Sequence, residues 1–454
     1  MCYSDISKRL HSDSVLNQLI WMALPVIGTS FMAMAYNFIN IIFVGSLGSH
    51  AVAAVGTAGL YMNLSWGLSS LFTVGAGIKV SHAIGKGDLQ LARSYVRSGI
   101  LASIIAGLIF VILLVFTKDF LIGLIQLHSL FIEREASSFL LIAGISVLFS
   151  FQNLFFTSVF IGSGDSKTPF RINATALAIN IMFDYILIFP VGLGINGAAI
   201  ATIISQGIAL ILFYIKLKGS ASLKPSGVTY KPLLLKEIVG LGVSPTLQRV
   251  SFTIIAIMMA RIISTWGPTA IAVQKVGIQI EAISYMTIAG VLSALAAISG
   301  QAFGAKDYAK QWKAFKAGML LATIIGVFTS TLLIAFPGTL FSIFLQDKES
   351  IVMGREYLII LGFSQLFMCL ENTATGAFFG WGKTNVPAIS GIVLTVMRVP
   401  MALLMIEFWK HALSSVWWSI SISSIAKGTL LVVLYIVLFK VFIKKSAQAD
   451  MLKR

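Results

Sequence analysis

Charged residues are what this chain has least of. Asp, Glu, Lys and Arg make up 11% of its 454 residues, where a soluble globular domain carries about a quarter. That scarcity excludes a water-facing fold. Cysteine is almost absent, and the two residues present, Cys2 and Cys369, build neither a disulfide framework nor a cysteine-based metal centre. His50, His82 and His411 stand at no metal-ligand spacing, so no metal site is expected. No glycine-rich loop of the P-loop type occurs, which leaves direct ATP drive without a phosphate cradle. Paired catalytic groups are missing as well, and an enzyme is not expected. What the chain does have is apolar residues, 57% of the total, with a mean hydropathy of +0.92. The apolar runs are continuous and do not alternate, so they read as membrane helices and not as barrel strands. At ~20 to 30 residues per span with short loops, the chain has room for roughly a dozen.

The first apolar run follows "MCYSDISKRLHSDS", exceeds a signal-peptide core and has no small-residue cleavage site, so it is expected to stay as a helix. Helices are expected near 15–43, 51–83, 90–117, 134–161, 169–189 and 197–217, then near 234–263, 270–302, 311–337, 351–380, 387–409 and 413–443. Between the sets, "KLKGSASLKPSGVTYKP" (Lys216 to Pro232) is basic and contains Gly, Pro and Ser. The expected fold is an all-α integral membrane protein with twelve transmembrane helices in two six-helix lobes. The N-lobe is 1–217, a cytoplasmic linker 218–233, the C-lobe 234–443 and a cytoplasmic tail 444–454.

The formal net charge of +16 is spread through short loops and forms no stripe, so no nucleic-acid partner is expected. Lys8, Arg9, Lys86, Arg93, Arg97, Lys167, Arg171, the linker lysines, Lys306, Lys310, Lys313, Lys316, Lys440, Lys444 and Lys445 fall on one side. The loops "VGSLGSH" and "PVGLGIN" carry no Lys or Arg. By the positive-inside rule this places both termini in the cytoplasm, for a multi-pass protein of the inner membrane.

The two halves resemble each other in register. "GSHAVAAVG" (Gly48 to Gly56) recurs as "GPTAIAVQK" (Gly267 to Lys275) and "IGKGD" (Ile84 to Asp88) as "FGAKD" (Phe303 to Asp307), both shifted by 219. "FIGSGDSKTP" (Phe160 to Pro169) recurs as "FFGWGKTNVP" (Phe378 to Pro387), shifted by 218. Six helices per repeat gives both copies the same orientation, related by a pseudo-two-fold along the membrane normal, with a substrate path expected at their interface.

The Asn-containing first helix followed by "VGSLG", the "IGKGD" and "FGAKD" loops, "GSGDSKTP", "NIMFDYILIF" followed by "GLGINGAAIATIISQ", and "MRVPMALL" together resemble the multidrug and toxic compound extrusion family. The likeness is strongest to its bacterial branch related to DNA-damage-inducible protein F and covers nearly the whole chain. It implies two six-helix lobes around a central cleft that export amphipathic, often cationic compounds against inward H⁺ or Na⁺ flow. A lipid-linked precursor flippase of the same wider superfamily is the alternative. No cofactor is expected beyond the coupling ion, and the partners expected are small amphipathic molecules and membrane lipids, with the protein a monomer.

Polar side chains in hydrocarbon are costly, so they are functional candidates by default. Asn180 and Asp184 are four apart on one face of the fifth helix, roughly mid-span. Thr202 follows in the next helix, and Asn40 lies one turn from Tyr36 and Asn37 in the first. Asp184, Asn180, Thr202 and Asn40 match the positions where the resembled family builds its N-lobe cation site. Most such relatives carry an aspartate at the position of Asn40; an amide leaves Asp184 as a single acid, without a second carboxylate to share its proton. Oxygen-bearing side chains of this kind also suit a hard monovalent cation, and H⁺ is favoured over Na⁺ as the coupling ion. Pro25 interrupts the hydrogen-bond ladder of the first helix and is the expected hinge.

The C-lobe is richer in ionisable residues, with Arg249, Lys275, Glu281, Glu371, Arg398 and Lys427 in or near apolar spans. Arg398 stands 218 positions after Asn180, and Ala402 218 after Asp184. Tyr36, Asn37, Met32, Asn153, Gln206, Glu281 and Glu371 are the candidate substrate-cavity residues; the methionine and the rings would form an adaptable wall. Salt bridges of Glu281 and Glu371 with Arg249 or Arg398 are the structural alternative to function.

Overall fold

The computed structural model describes residues 14–125, 129–345, 347–409 and 412–451. Cys2, Lys8, Arg9 and His411 lie outside the described residues. Fourteen α-helices account for nearly all of them: α1 Val15–Gly45, α2 Ser49–Gly85, α3 Leu89–Gly123, α4 Leu130–Gly162, α5 Lys167–Ile188, α6 Gly194–Gly219, α7 Pro232–Ile263, α8 Pro268–Gly304, α9 Tyr308–Ala335, α10 Pro337–Ser342, α11 Lys348–Trp381, α12 Asn385–Val396, α13 Arg398–Phe408 and α14 Ser414–Met451. Among the described residues, eleven crossings, α12 and α13 counting as one, are long and apolar enough to span a membrane by length and composition. α2 supplies a twelfth of sufficient length, 37 residues.

Three departures from the expected elements have local causes. α10 is an additional short helix, begun by Pro337, whose fixed φ suits a first helical position. The expected helix at 387–409 is divided at Met397, because Pro400 has no N–H to offer the carbonyl of Val396. α14 continues to Met451, through residues read as a tail.

The chain forms two compact units, one of residues 24–246 and one of residues 14–23 with 247–451. In the first, Phe72, Phe151, Phe155, Phe156, Phe160 and Phe213 form one buried cluster with Ala76, Ala92 and Ile238. In the second, Tyr357, Trp417, Leu361 and Phe341 belong to one cluster, and Phe315 stacks on Tyr435 with ring centroids 4.3 Å apart.

The internal repeat is visible in the backbone. Asp88 opens α3 by accepting from Leu91 N–H at 2.8 Å, and Asp307 opens α9 by accepting from Lys310 N–H at 2.8 Å. The residue before each is left-handed: Gly87 has φ 76° and Lys306 φ 58°. Close helix packing is repeated too. A Cβ on Gly162 would meet the Gly77 carbonyl oxygen at 2.5 Å, and one on Gly380, 218 positions on, would meet that of Ala296 at 2.9 Å. Small residues thus let α4 approach α2 and α11 approach α8.

Candidate functional site

In the N-lobe, α5 carries Asn180 and Asp184 one turn apart, 3% and 1% exposed. With its nitrogen facing the carboxylate, the Asn180 amide donates to Asp184 Oδ2 at 2.9 Å, and its oxygen accepts from Thr202 N–H on α6 at 3.3 Å. The Thr202 hydroxyl bonds the Ala198 carbonyl at 3.0 Å and lies 3.1 Å from the Tyr36 hydroxyl of α1. Side chains of three helices are thus linked in one chain of hydrogen bonds that ends on the Asp184 carboxylate. Its second oxygen, Oδ1, is buried and accepts no hydrogen bond from the described residues. Because a buried carboxylate needs its lone pairs met, that oxygen is the point at which a proton or small cation would complete the site.

Asn40 lies on the same helix as Tyr36, one turn on. Its Oδ1 is also buried and, among the described residues, has no hydrogen-bond partner, Asp184 included. Asn153 and Gln206 form a separate pair, with Asn153 Nδ2 donating to Gln206 Oε1 at 2.7 Å and to its carbonyl at 2.9 Å. Gln206 is one turn beyond Thr202, so this pair adjoins the Asp184 cluster along α6. Met32 is half-buried and Asn37 exposed. Pro25 sits in an unbroken α1, and Thr29 Oγ1 bonds the Pro25 carbonyl at 3.0 Å.

The C-lobe handles its charges differently. Glu281 on α8, 7% exposed, accepts from the Tyr357 hydroxyl and from Gln365 Nε2 of α11, the latter at 3.1 Å. Lys427 on α14 pairs with Glu371 on α11 at 3.2 Å. Arg398 donates from Nε to Ser423 Oγ at 2.7 Å and from Nη2 to Ser424 Oγ at 2.9 Å. The structural alternative for the acids thus holds for Glu371 with a different partner, Lys427 in place of Arg249 or Arg398, while Glu281 is met by neutral donors. Gln274, on the Glu281 face of α8, accepts instead from Trp417 Nε1 at 3.0 Å.

Sequence reasoning missed Tyr357, Gln365, Ser423 and Ser424. Single hydroxyls and amides in apolar helices are common enough to carry no signal of their own. The run "SISISSIAK" ahead of Lys427 was the one available hint. Pro245 was missed as well; it lies inside α7 as Pro25 lies inside α1.

Two repeats of membrane-spanning helices with an unpaired acid buried in one of them define a membrane transporter. The MatE family model matches residues 25–186 and 242–404, one match per repeat and well over half of the chain. The chain belongs to the MatE family. It is similar to a probable multidrug resistance protein NorM of Thermotoga maritima, 26% identical over 92% of this chain and 91% of that one. It is also similar to the multidrug export protein MepA of Staphylococcus saprophyticus, 24% identical over 90% and 91% of the two chains. A crystal structure of MATE in the bent conformation shares the fold, with a TM-score of 0.91 at 20% identity, covering 96% of this chain and 98% of that chain.

Proposed function

We propose that this protein is a secondary active antiporter of the inner membrane, monomeric and with both termini cytoplasmic. It exports amphipathic, often cationic compounds in exchange for inward H⁺ by alternating access. The observation that carries the reading is the buried Asp184 carboxylate with one oxygen unmet and the other held by Asn180. An unpaired charge in this setting is costly by several kcal/mol. Taking up a proton, or a Na⁺ ion coordinated further by the Thr202 and Tyr36 hydroxyls, relieves that cost, so ion occupancy and lobe conformation are linked. Tyr36 transmits the change to α1, whose missing ladder bond at Pro25 makes it the element that bends. The apparent affinity for drug then differs between the ion-bound and ion-free forms, which is the requirement for exchange. Membership of the family and the printed names of the multidrug relatives support the substrate class.

Ethidium transport in everted vesicles, with pH and Na⁺ varied separately, tests this. The expected result is transport that follows the imposed pH gradient and is indifferent to Na⁺. Dependence on Na⁺ alone would reassign the ion, and transport that persists with both gradients collapsed would overturn antiport.

A further inference from the structure

Arg398 is a buried charged side chain that forms no direct ion pair among the described residues. It is 7% exposed, inside the apolar crossing formed by α12 and α13. No carboxylate among the described residues comes within ion-pair distance of it, and its hydrogen bonds go to two serine hydroxyls. The neighbouring charges are already engaged. Glu371 holds Lys427, and Glu281, although within electrostatic reach of Arg398, spends its oxygens on Tyr357 and Gln365. A guanidinium placed in this way favours a planar anion that takes two parallel bonds.

Access to it is marked by aromatic rings. The Arg398 guanidinium lies 5.9 Å from the ring of Phe252, which is 47% exposed. Tyr285, one turn beyond Glu281 on α8, is 43% exposed. Partly exposed aromatic rings of this kind suit the flat body of an amphipathic solute. The repeat adds a further observation. Arg398 occupies the place that Asn180 holds beside Asp184, and the place of Asp184 itself is taken by the apolar Ala402.

We propose that Arg398 anchors the carboxylate of an amphipathic solute, so that the C-lobe holds an anion-binding site where the N-lobe holds its cation site. The solute class is an aromatic carboxylate or zwitterion, with its ring system against Phe252 and Tyr285. The proposal rests on the export reading and extends it, since transport would then include compounds that are not simple cations.

The test uses rhodamine B, a zwitterion with a free carboxylate, and its ethyl ester, which has the same ring system and only the positive charge. Binding of each to the purified full-length protein is followed by fluorescence polarisation. The wild-type protein is expected to bind the acid more tightly than the ester. Arg398→Gln is expected to weaken rhodamine B about tenfold or more while changing the ester less than about twofold. Arg398→Lys, which keeps the buried charge but not the two-pronged geometry, is expected to lose an intermediate amount, and it decides the question by the same ratio if the glutamine variant does not fold. Equal affinity of the wild type for acid and ester overturns the proposal, as does an equal loss for both dyes in the variants. Failure of the wild type to export ethidium would count against the export reading alone, because the ratio of dye affinities judges Arg398 independently.

Discussion

The two lobes share their backbone and differ in how they bury charge. Both open their third helix with an aspartate after a left-handed residue, and both pack a glycine against a carbonyl at matching positions. Among the described residues, the N-lobe buries one acid and gives it only an amide. The C-lobe buries Glu281, Glu371, Arg398 and Lys427 together. Asn153 is bonded to α6, whereas Glu371, its counterpart 218 positions on, is bonded to the lysine of α14. The difference teaches that small residues and helix starts carry the fold, while a few polar positions carry the chemistry. An isolated acid can be emptied and filled by an ion; an acid already held by an ammonium has little left to gain from one.

The largest effect expected from that asymmetry is at Asp184. Asp184→Asn keeps the size and hydrogen-bonding capacity of the side chain, so the protein should reach the membrane in normal amount, yet ion-driven ethidium efflux should vanish. Glu281→Gln and Glu371→Gln, measured beside it at equal expression, should each retain most transport. If either C-lobe variant is as inactive as Asp184→Asn, the coupling site belongs in the other lobe.

Stability should show the reverse order. Lys427→Met leaves Glu371 buried without its ammonium, and breaking one partner of a buried ion pair costs about 3 kcal/mol. A marked fall in the thermal unfolding midpoint in detergent is the expected outcome, with most of it restored in the double variant Lys427→Met/Glu371→Gln. Additive losses in the double variant would show that the 3.2 Å pair is not what the lysine is for.

How far these features were legible in the sequence depends on whether the signal was periodic or single. The fold was readable because apolar runs of helix length and the repeated "IGKGD" and "FGAKD" loops recur many residues apart in one register. The pair Asn180 and Asp184 was readable because a carboxylate in an apolar helix is rare and its helical neighbours follow from spacing. Partner identity was not. That Lys427 and not Arg249 would reach Glu371 depends on the rotation of α14 against α11, which no local pattern encodes. The division of α12 from α13 was signalled by Pro400, a residue that was read only as part of "MRVPMALL".

A subtler way to sharpen the contrast is to give the N-lobe a second acid. Asn40→Asp adds a carboxylate to α1, where the amide oxygen is buried and unmet. At an effective dielectric of ~20, two carboxylates 4 Å apart repel by about 4 kcal/mol, and greater separation or solvation reduces this. Repulsion disfavours the doubly ionised state, so the pair should retain a proton to higher pH than Asp184 alone. The expected outcome is an upward shift in the pH dependence of efflux in proteoliposomes, unaltered by Na⁺. An unchanged profile would mean that Asn40 and Asp184 are not coupled and that the amide serves helix packing.

The smallest expected effect lies where the lobes are most alike. Gly87 and Lys306 precede the two helix-opening aspartates and both adopt positive φ, 76° and 58°. Only glycine does so without a steric cost, which for other residues is about 1 kcal/mol. Lys306 is exposed, so its side chain offers little to offset the strain, and Lys306→Gly should stabilise the protein. The gain is partly cancelled by the greater freedom of glycine in the unfolded chain, which leaves about 0.5 kcal/mol. Gly87→Lys should lose a similar amount, since a side chain there meets open space and only the backbone conformation opposes it. Thermal unfolding of the two variants in the same detergent measures both changes. Should Lys306→Gly lower the midpoint, the lysine must be making a favourable interaction that outweighs its backbone, and the two turns would be alike in geometry but not in energy.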